Sequence, residues 1–487
     1  MDDLISASLS PPDGVQPRKW ARLAAFLGEL PPAAAARLFA ALERAPADGL
    51  PAPAMLASLR TRLVMDGAAF PARPKTAGRL FFTPFEDFFI SGRRGRKRRA
   101  RIDRASLGPI WTVLTADAAC AKAAAAARDL DAAIARGEAQ TSALEDALYG
   151  AAAEGLSILV SHAEDDAAFR ADLSARLAGA SDKAGAAALH DLAEIALLAP
   201  AARLLRDAQD VFPRPVSSLT EEDLFTVREL YARACAGAPG AAGYLLSLIA
   251  ARMDAPWRAL RLCYFMMRAD DDMLPYARGD AALAADDLIA DLEGLARGLE
   301  RDADDDADLS EAPARFSHFA EFAGGIVAEA ERENDGATAN RAQACRDIAA
   351  DAFARYAETA LAALRRNHPV RHAGGSSRLM ALRPDISRAV DRAAERAARR
   401  GAAFLASVPD LGDKLARPGA AAIERDAVEE TRRYADDLIS EIRAAEGEER
   451  ASARRRMESV LREAGPLLPE DEILLLKERA SVAAVSA

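Results

Sequence analysis

Eight cations in twelve residues are the densest chemistry in this chain: Arg93, Arg94, Arg96, Lys97, Arg98, Arg99, Arg101 and Arg104, with Asp103 the one acid among them. The net +7 compares with about 1.6 basic residues expected in any twelve, given 64 in 487. Gly92 and Gly95 predict an adaptable loop, so the cations suit an anionic partner: an acidic protein patch, a nucleic-acid backbone or an anionic lipid surface. Five Phe residues between Phe81 and Phe89 precede the run. They read as core, with stacking on bases or dipping into a membrane interface as the functional alternatives.

A second basic turn holds Arg365, Arg366, His368, Arg371 and His372, followed by Gly374-Gly375-Ser376-Ser377. Its His-Pro-Val-Arg-His spacing fails as a zinc-protease motif, because Pro369 breaks the helix and no Glu stands between the histidines. Backbone N–H groups at the following helix start would suit a phosphate or carboxylate. Among the acids, Asp287/Asp291 and Asp437/Glu441 are (i, i+4) pairs that share a helix face and have metal-binding chemistry. Asp270-Asp271-Asp272-Met273-Leu274-Pro275 does not supply the DDxxD spacing with which helical isoprenoid synthases hold Mg²⁺-diphosphate, and no family resemblance is drawn from it. Asp302, Asp304, Asp306 and Asp308 alternate like calcium-loop ligands, but Ala307 stands where the turn needs Gly and Pro313 where a bidentate Glu belongs. Cys120, Cys235, Cys263 and Cys345 are far apart and read as small buried residues of a reducing compartment; His162, His190 and His318 are scattered. GxSxG, P-loop and GxGxxG motifs are missing. No catalytic residue, metal site or cofactor is therefore assigned.

The elements that must position these residues are helices. Of the 487 residues, 119 are Ala, and β-branched and aromatic residues are scarce, which excludes a mainly β chain. The expected fold is all-α: a multi-helix bundle or irregular helical-hairpin array, with a short non-helical Phe-rich segment near 79–92 and long charged C-terminal helices. Length alone argues for several packed units. Pro, Gly and charge breaks divide the chain into short N-terminal helices (1–78), the Phe-rich segment and Arg-rich loop (79–105), an Ala-rich helical region (106–212), a central helical region (213–299), an acidic linker (300–313), a helical region with the basic turn (314–383), and long C-terminal helices with a short tail (384–487), broken near Pro409, Pro418 and Pro466. The Ala-rich stretches 118–135 and 390–404 are expected as spacers or peripheral helices. Ser218-Leu219-Thr220-Glu221-Glu222-Asp223 reads as a helix start.

The net charge of −11 argues against a protein coated for nucleic acid. With 57 Arg against seven Lys, the chain has the composition of a GC-rich bacterial genome. The Met1-Asp2-Asp3 start is not that of a signal peptide, and even the most apolar stretch, about 185–205, carries His190, Asp191, Glu194, Pro200 and Arg203, so a cytoplasmic location is expected. Clustered catalytic groups are lacking, so the expected function is a non-enzymatic helical interaction or scaffold protein with a protein partner. The alternatives are a polyanion binder acting through residues 93–104, and a metal-dependent helical enzyme acting on a diphosphate.

Overall fold

The computed structural model describes residues 20, 22–23, 26–27, 30–44, 55–56, 59, 63, 75–91, 97–138, 140–178, 182–268, 274, 276–304, 308–372, 382–415, 417 and 419–485. The fold is all-α, and the only sheets among the described residues are two two-stranded ones. The chain divides into two compact units: residues 1–93 with 102–203, and residues 94–101 with 204–487.

In the first unit, α1 (Pro32–Arg44) buries Phe39 and Leu42 with Trp20, Leu27, Met55, Leu59 and Leu63 in a small core. The Phe-rich segment departs from its expected non-helical form. It opens as α2 (Ala77–Phe82), capped by the Thr76 hydroxyl, which accepts from Arg79 N at 3.2 Å, and continues as a 3-10 helix over Thr83–Phe88. Pro84 sits at the start of that 3-10 helix, where its missing N–H leaves nothing unpaired. Only Phe89–Ile90 is extended, as β1, pairing in parallel with β2 (Ile102–Asp103). Phe81 then packs edge-on against Phe82 and Phe85, with Trp111 and Tyr149 close by.

Five further helices of this unit are described over their length: α3 (Arg104–Ala116), α4 (Ala121–Ala135), α5 (Ser142–Asp165), α6 (Ala167–Ala178) and α7 (Asp182–Leu198). The Ala-rich α4 is no spacer. It buries Ala123, Ala124, Ala127, Leu130 and Ala133, and its Asp131 accepts from Ala77 N at the start of α2. On α7, Asp191 is fully buried and accepts from the Ser106 hydroxyl at 2.7 Å and from Asp103 N. The run Gly185–Val211, which includes α8 (Ala202–Val211), is long and apolar enough to cross a membrane; 61% of its apolar window is buried in the structure.

The second unit contains α9 (Glu221–Gly237), α10 (Tyr244–Arg252), α11 (Ala259–Met267), α12 (Ala277–Asp304), α13 (Ala312–Arg332) and α14 (Gly336–Asn367). A hairpin of β3 (Val370–His372) and β4 (Leu382–Pro384) follows, then α15 (Arg392–Lys414), α16 (Ala420–Ala444), α17 (Gly447–Ala464) and α18 (Glu470–Val485). Thr220 and Asp223 form a reciprocal capping box at the start of α9. At 32 residues α14 spans about 48 Å and is the spine against which α12, α13 and α15 pack. Phe316 of α13, Phe353 and Tyr356 of α14 and Phe404 of α15 meet in a sealed aromatic core with centroids 5.3–6.4 Å apart.

Small residues let these helices close in. A Cβ on Gly401 would lie 2.8 Å from the Ala360 carbonyl oxygen, and one on Gly325 would overlap the Trp257 indole. The Ala-rich 390–404 stretch is therefore not a mere spacer: Ala398, Gly401, Ala402 and Phe404 form a buried inner face, while its other face is exposed. Pro409 does not break α15, which runs through it to Lys414. Part of the segment 300–313 is helix as well: residues 300–304 are the last turn of α12, and Asp302 pairs with Arg315 at 2.6 Å.

Candidate functional site

The cations and acids singled out in the sequence meet each other. On α12, Asp280, Asp287 and Asp291 follow at i, i+7 and i+11 and share one face. Arg98 and Arg101 end on the two oxygens of Asp291, the second at 2.5 Å. Arg99 donates to Asp280 at 3.3 Å, and its guanidinium carbon lies 4.4 Å from the Tyr244 ring centroid. The Tyr231 hydroxyl takes the other Asp280 oxygen at 2.7 Å; burial and that carboxylate push the Tyr231 pKa up. Lys97 Nζ donates to the Arg101 carbonyl at 2.6 Å. Asp287 sits among these groups. Burial raises its pKa, Asp291 adds to the rise, and Arg98, Arg101 and Arg99 only partly offset it. Arg104, in the first unit, is exposed, 3.9 Å from Glu86 and 5.5 Å from the Phe89 ring. Arg93, Arg94 and Arg96 lie outside the described residues, as do Asp270–Asp272, Asp306 and Gly374–Ser377.

The second basic turn closes on the other acidic pair. Arg371 of β3 and Arg383 of β4 are cross-strand neighbours, and both reach Glu441 of α16, at 3.3 and 3.4 Å. Arg365 forms a fork with Glu430, while Arg366 and His372 are exposed. His368 turns inward. Its Nε2 pairs with Glu463 of α17, and its ring stacks on Tyr434 at 4.4 Å. Asn367 donates to the other Glu463 oxygen at 2.6 Å and to the Ser459 hydroxyl at 3.2 Å. Arg456 donates to the carbonyls of Asn367, Arg388 and Ala389. Glu463 is 0% exposed and Arg456 3%, so the cluster is sealed from solvent. His368 Nδ1, Asn367 Oδ1 and Arg456 Nε are buried in it without partners.

These arrangements lock; they do not present reactive groups. Asp291 and Glu441, the carboxylates whose spacing suggested a metal, are occupied by guanidinium groups. Among the described residues no group of three or more His, Cys, Asp and Glu is placed to hold a metal ion. Burial raises all four thiols, Cys120 to about 11 and Cys263 to about 12, which disfavours the thiolate a nucleophile needs. Asp280, Tyr231, Glu463, Arg456 and Tyr434 escaped the sequence reading. For three residues of α17 a signal exists: Arg456, Ser459 and Glu463 recur at i, i+3 and i+7, a polar stripe on the face that turns out to be buried.

A different kind of surface remains on α18. Its inner face buries Leu476 and Ala483, and Arg432–Glu472 and Arg479–Asp436 tie it to α16. Its outer face leaves Leu474, Leu475, Val482 and Val485 exposed at 53–86%, with exposed Glu478 among them and exposed Lys477 at their border. Compared with protein-family models, curated proteins and solved structures, the chain matches none.

Proposed function

We propose that this chain is a non-enzymatic helical interaction protein of the bacterial cytoplasm, and that α18 receives an amphipathic helix of a partner protein. The exposed apolar stripe of Leu474, Leu475, Val482 and Val485 carries the reading. An isolated exposed Leu is ordinary, but Leu474, Leu475 and Val485 add to Val482 a run of exposed apolar side chains on one short helix. The stripe extends over about 17 Å of helix. That is too short to supply the roughly 800 Å² per partner of a standard stable interface, which favours one docked helix over a second copy of this chain.

The sealed state of the polar clusters and the raised cysteine pKa values support a binding role over catalysis. The polyanion alternative is less well supported: each described cation of the run, Lys97, Arg98, Arg99, Arg101 and Arg104, already has a protein partner that a polyanion would have to displace.

The test places a photoreactive residue at Leu475 or Val482 of the full chain in its native cell. The expected result is a crosslink to a helical segment of another protein, lost when Leu474 and Leu475 are changed to Glu. A crosslink to a second copy, with dimerisation in sedimentation that the same changes abolish, overturns the partner-helix reading. So does a crosslink that the Glu substitutions leave intact, or none at all.

A further inference from the structure

A cleft of about 710 Å³ opens between the start of α9, α11 and the end of α13, lined by Glu221, Leu224, Phe225, Arg261, Phe265, Arg268, Arg332 and Glu333. Its size falls within the range of small-molecule sites, about 300–1,000 Å³. One wall is aromatic: Phe225 and Phe265 pack edge to face with centroids 5.6 Å apart, and Phe225 stays 55% exposed. A Phe so exposed, braced by a second ring inside a cleft, is a platform for a planar apolar group.

The charges sort into two sets. Arg268 is paired with Glu333 and Arg332 with Glu329, so those cations are already answered. Arg261 and Glu221 are both exposed, and neither has a hydrogen-bond or ion-pair partner among the described residues. The cleft therefore offers an aromatic wall, one uncommitted guanidinium and one uncommitted carboxylate. A guanidinium fork matches a carboxylate in planar, bidentate fashion, and a carboxylate matches an ammonium group. A dianionic phosphate would leave Glu221 facing like charge, and a plain aromatic acid would leave it unused.

We propose that this cleft binds an aromatic α-amino acid, with its ring against Phe225, its carboxylate on Arg261 and its ammonium on Glu221. This site is independent of the α18 surface. The free amino acid and an aromatic residue at a peptide end share part of this chemistry. They differ in which of the two charges is blocked, and the test uses that difference.

The test is calorimetric titration of the full chain with L-tryptophan, L-tryptophanamide, which lacks the carboxylate, and N-acetyl-L-tryptophan, which lacks the ammonium. L-Tryptophan is expected to bind saturably below about 1 mM, with each blocked analogue weaker by about tenfold. Arg261→Gln should make L-tryptophan bind no better than the amide, and Glu221→Gln should make it bind no better than the N-acetyl form. Phe225→Ala should weaken all three ligands. Arg261, Glu221 and Phe225 are exposed and Arg128→Gln, on the other unit, serves as control, so loss of folding does not mimic the effect. The proposal is overturned by the absence of saturable L-tryptophan binding up to about 5 mM. It is also overturned if the analogues bind as well as the parent, or if Arg261→Gln and Glu221→Gln behave like Arg128→Gln.

Discussion

Replacing Glu463 by Gln keeps the shape of the side chain and removes its charge, so it isolates what the sealed cluster contributes. Glu463 accepts from Asn367 through one oxygen and pairs with His368 through the other. Gln offers one oxygen and one NH2, so with the His368 proton on Nε2 one of the two facing donors meets another donor. The loss is one charge-assisted bond, about 1.5–3 kcal/mol, plus a buried unsatisfied donor, about 1–3 kcal/mol. A net of about 3–5 kcal/mol agrees with the usual result of breaking a buried ionic contact from one side. For a unit of about 290 residues the unfolding entropy is about 0.6 kcal/mol/K, which turns that loss into a fall in Tm of about 5–8 °C for the second unit. Differential scanning calorimetry reads the shift directly. Glu429→Gln is the control. Glu429 and its partner Arg433 are 73% and 69% exposed, and surface pairs contribute about 0–1 kcal/mol, so its Tm should move by less than about 2 °C. Equal shifts for the two variants would refute the argument that burial, and not ion pairing as such, gives Glu463 its weight.

Further outcomes follow from the same structure. Because the folded pKa of Asp287 is raised, its stabilising contribution is complete only below its unfolded pKa and is lost as pH rises through the folded value; Asp287→Asn should therefore raise Tm at pH 7 and lose that advantage near pH 3. A thiol reagent on the native chain should modify Cys235, the one half-exposed cysteine, well before Cys120, Cys263 or Cys345, and all four after denaturation; fast reaction of the other three in the native state would contradict their burial. Gly325→Ala should destabilise the second unit by about 1–3 kcal/mol in urea titrations, because its methyl enters the space of the Trp257 indole. Thr220→Ala should cost about 0.5–2 kcal/mol in the same assay through the lost capping box.

The helical class was legible in the Ala content and in the periodicity, and the Arg run and both acidic pairs stood out from their surroundings. What was not legible was that they belong together. Arg101 and Asp291 are 190 residues apart and Arg371 and Glu441 are 70, and no local pattern carries a pairing across such distances. Glu463 was hidden for another reason. It lies on a helix where acids and arginines alternate throughout, so a single buried carboxylate has no compositional contrast. The breaks expected near Pro418 and Pro466 fall between helices, but two other prolines misled. Pro84 opens a 3-10 helix and Pro409 rides inside α15, so neither ended a helix where the sequence suggested a break. The Ala-rich stretches misled because small side chains signal low buried area per residue, yet they permit the close helix contact seen between Gly401 and Ala360.

The pairing of residues 94–101 with the second unit also has a meaning in time. Arg101 leaves the ribosome 190 residues before Asp291 does. At about 5–20 residues per second, that interval is about 10–40 s. Throughout it the first unit can fold while a cationic segment interrupting its sequence lacks acidic partners that are not yet made. The nascent chain therefore passes through a stage in which its densest positive charge is uncovered beside the polyanionic surface of the ribosome, and the synthesis of α12 ends that stage.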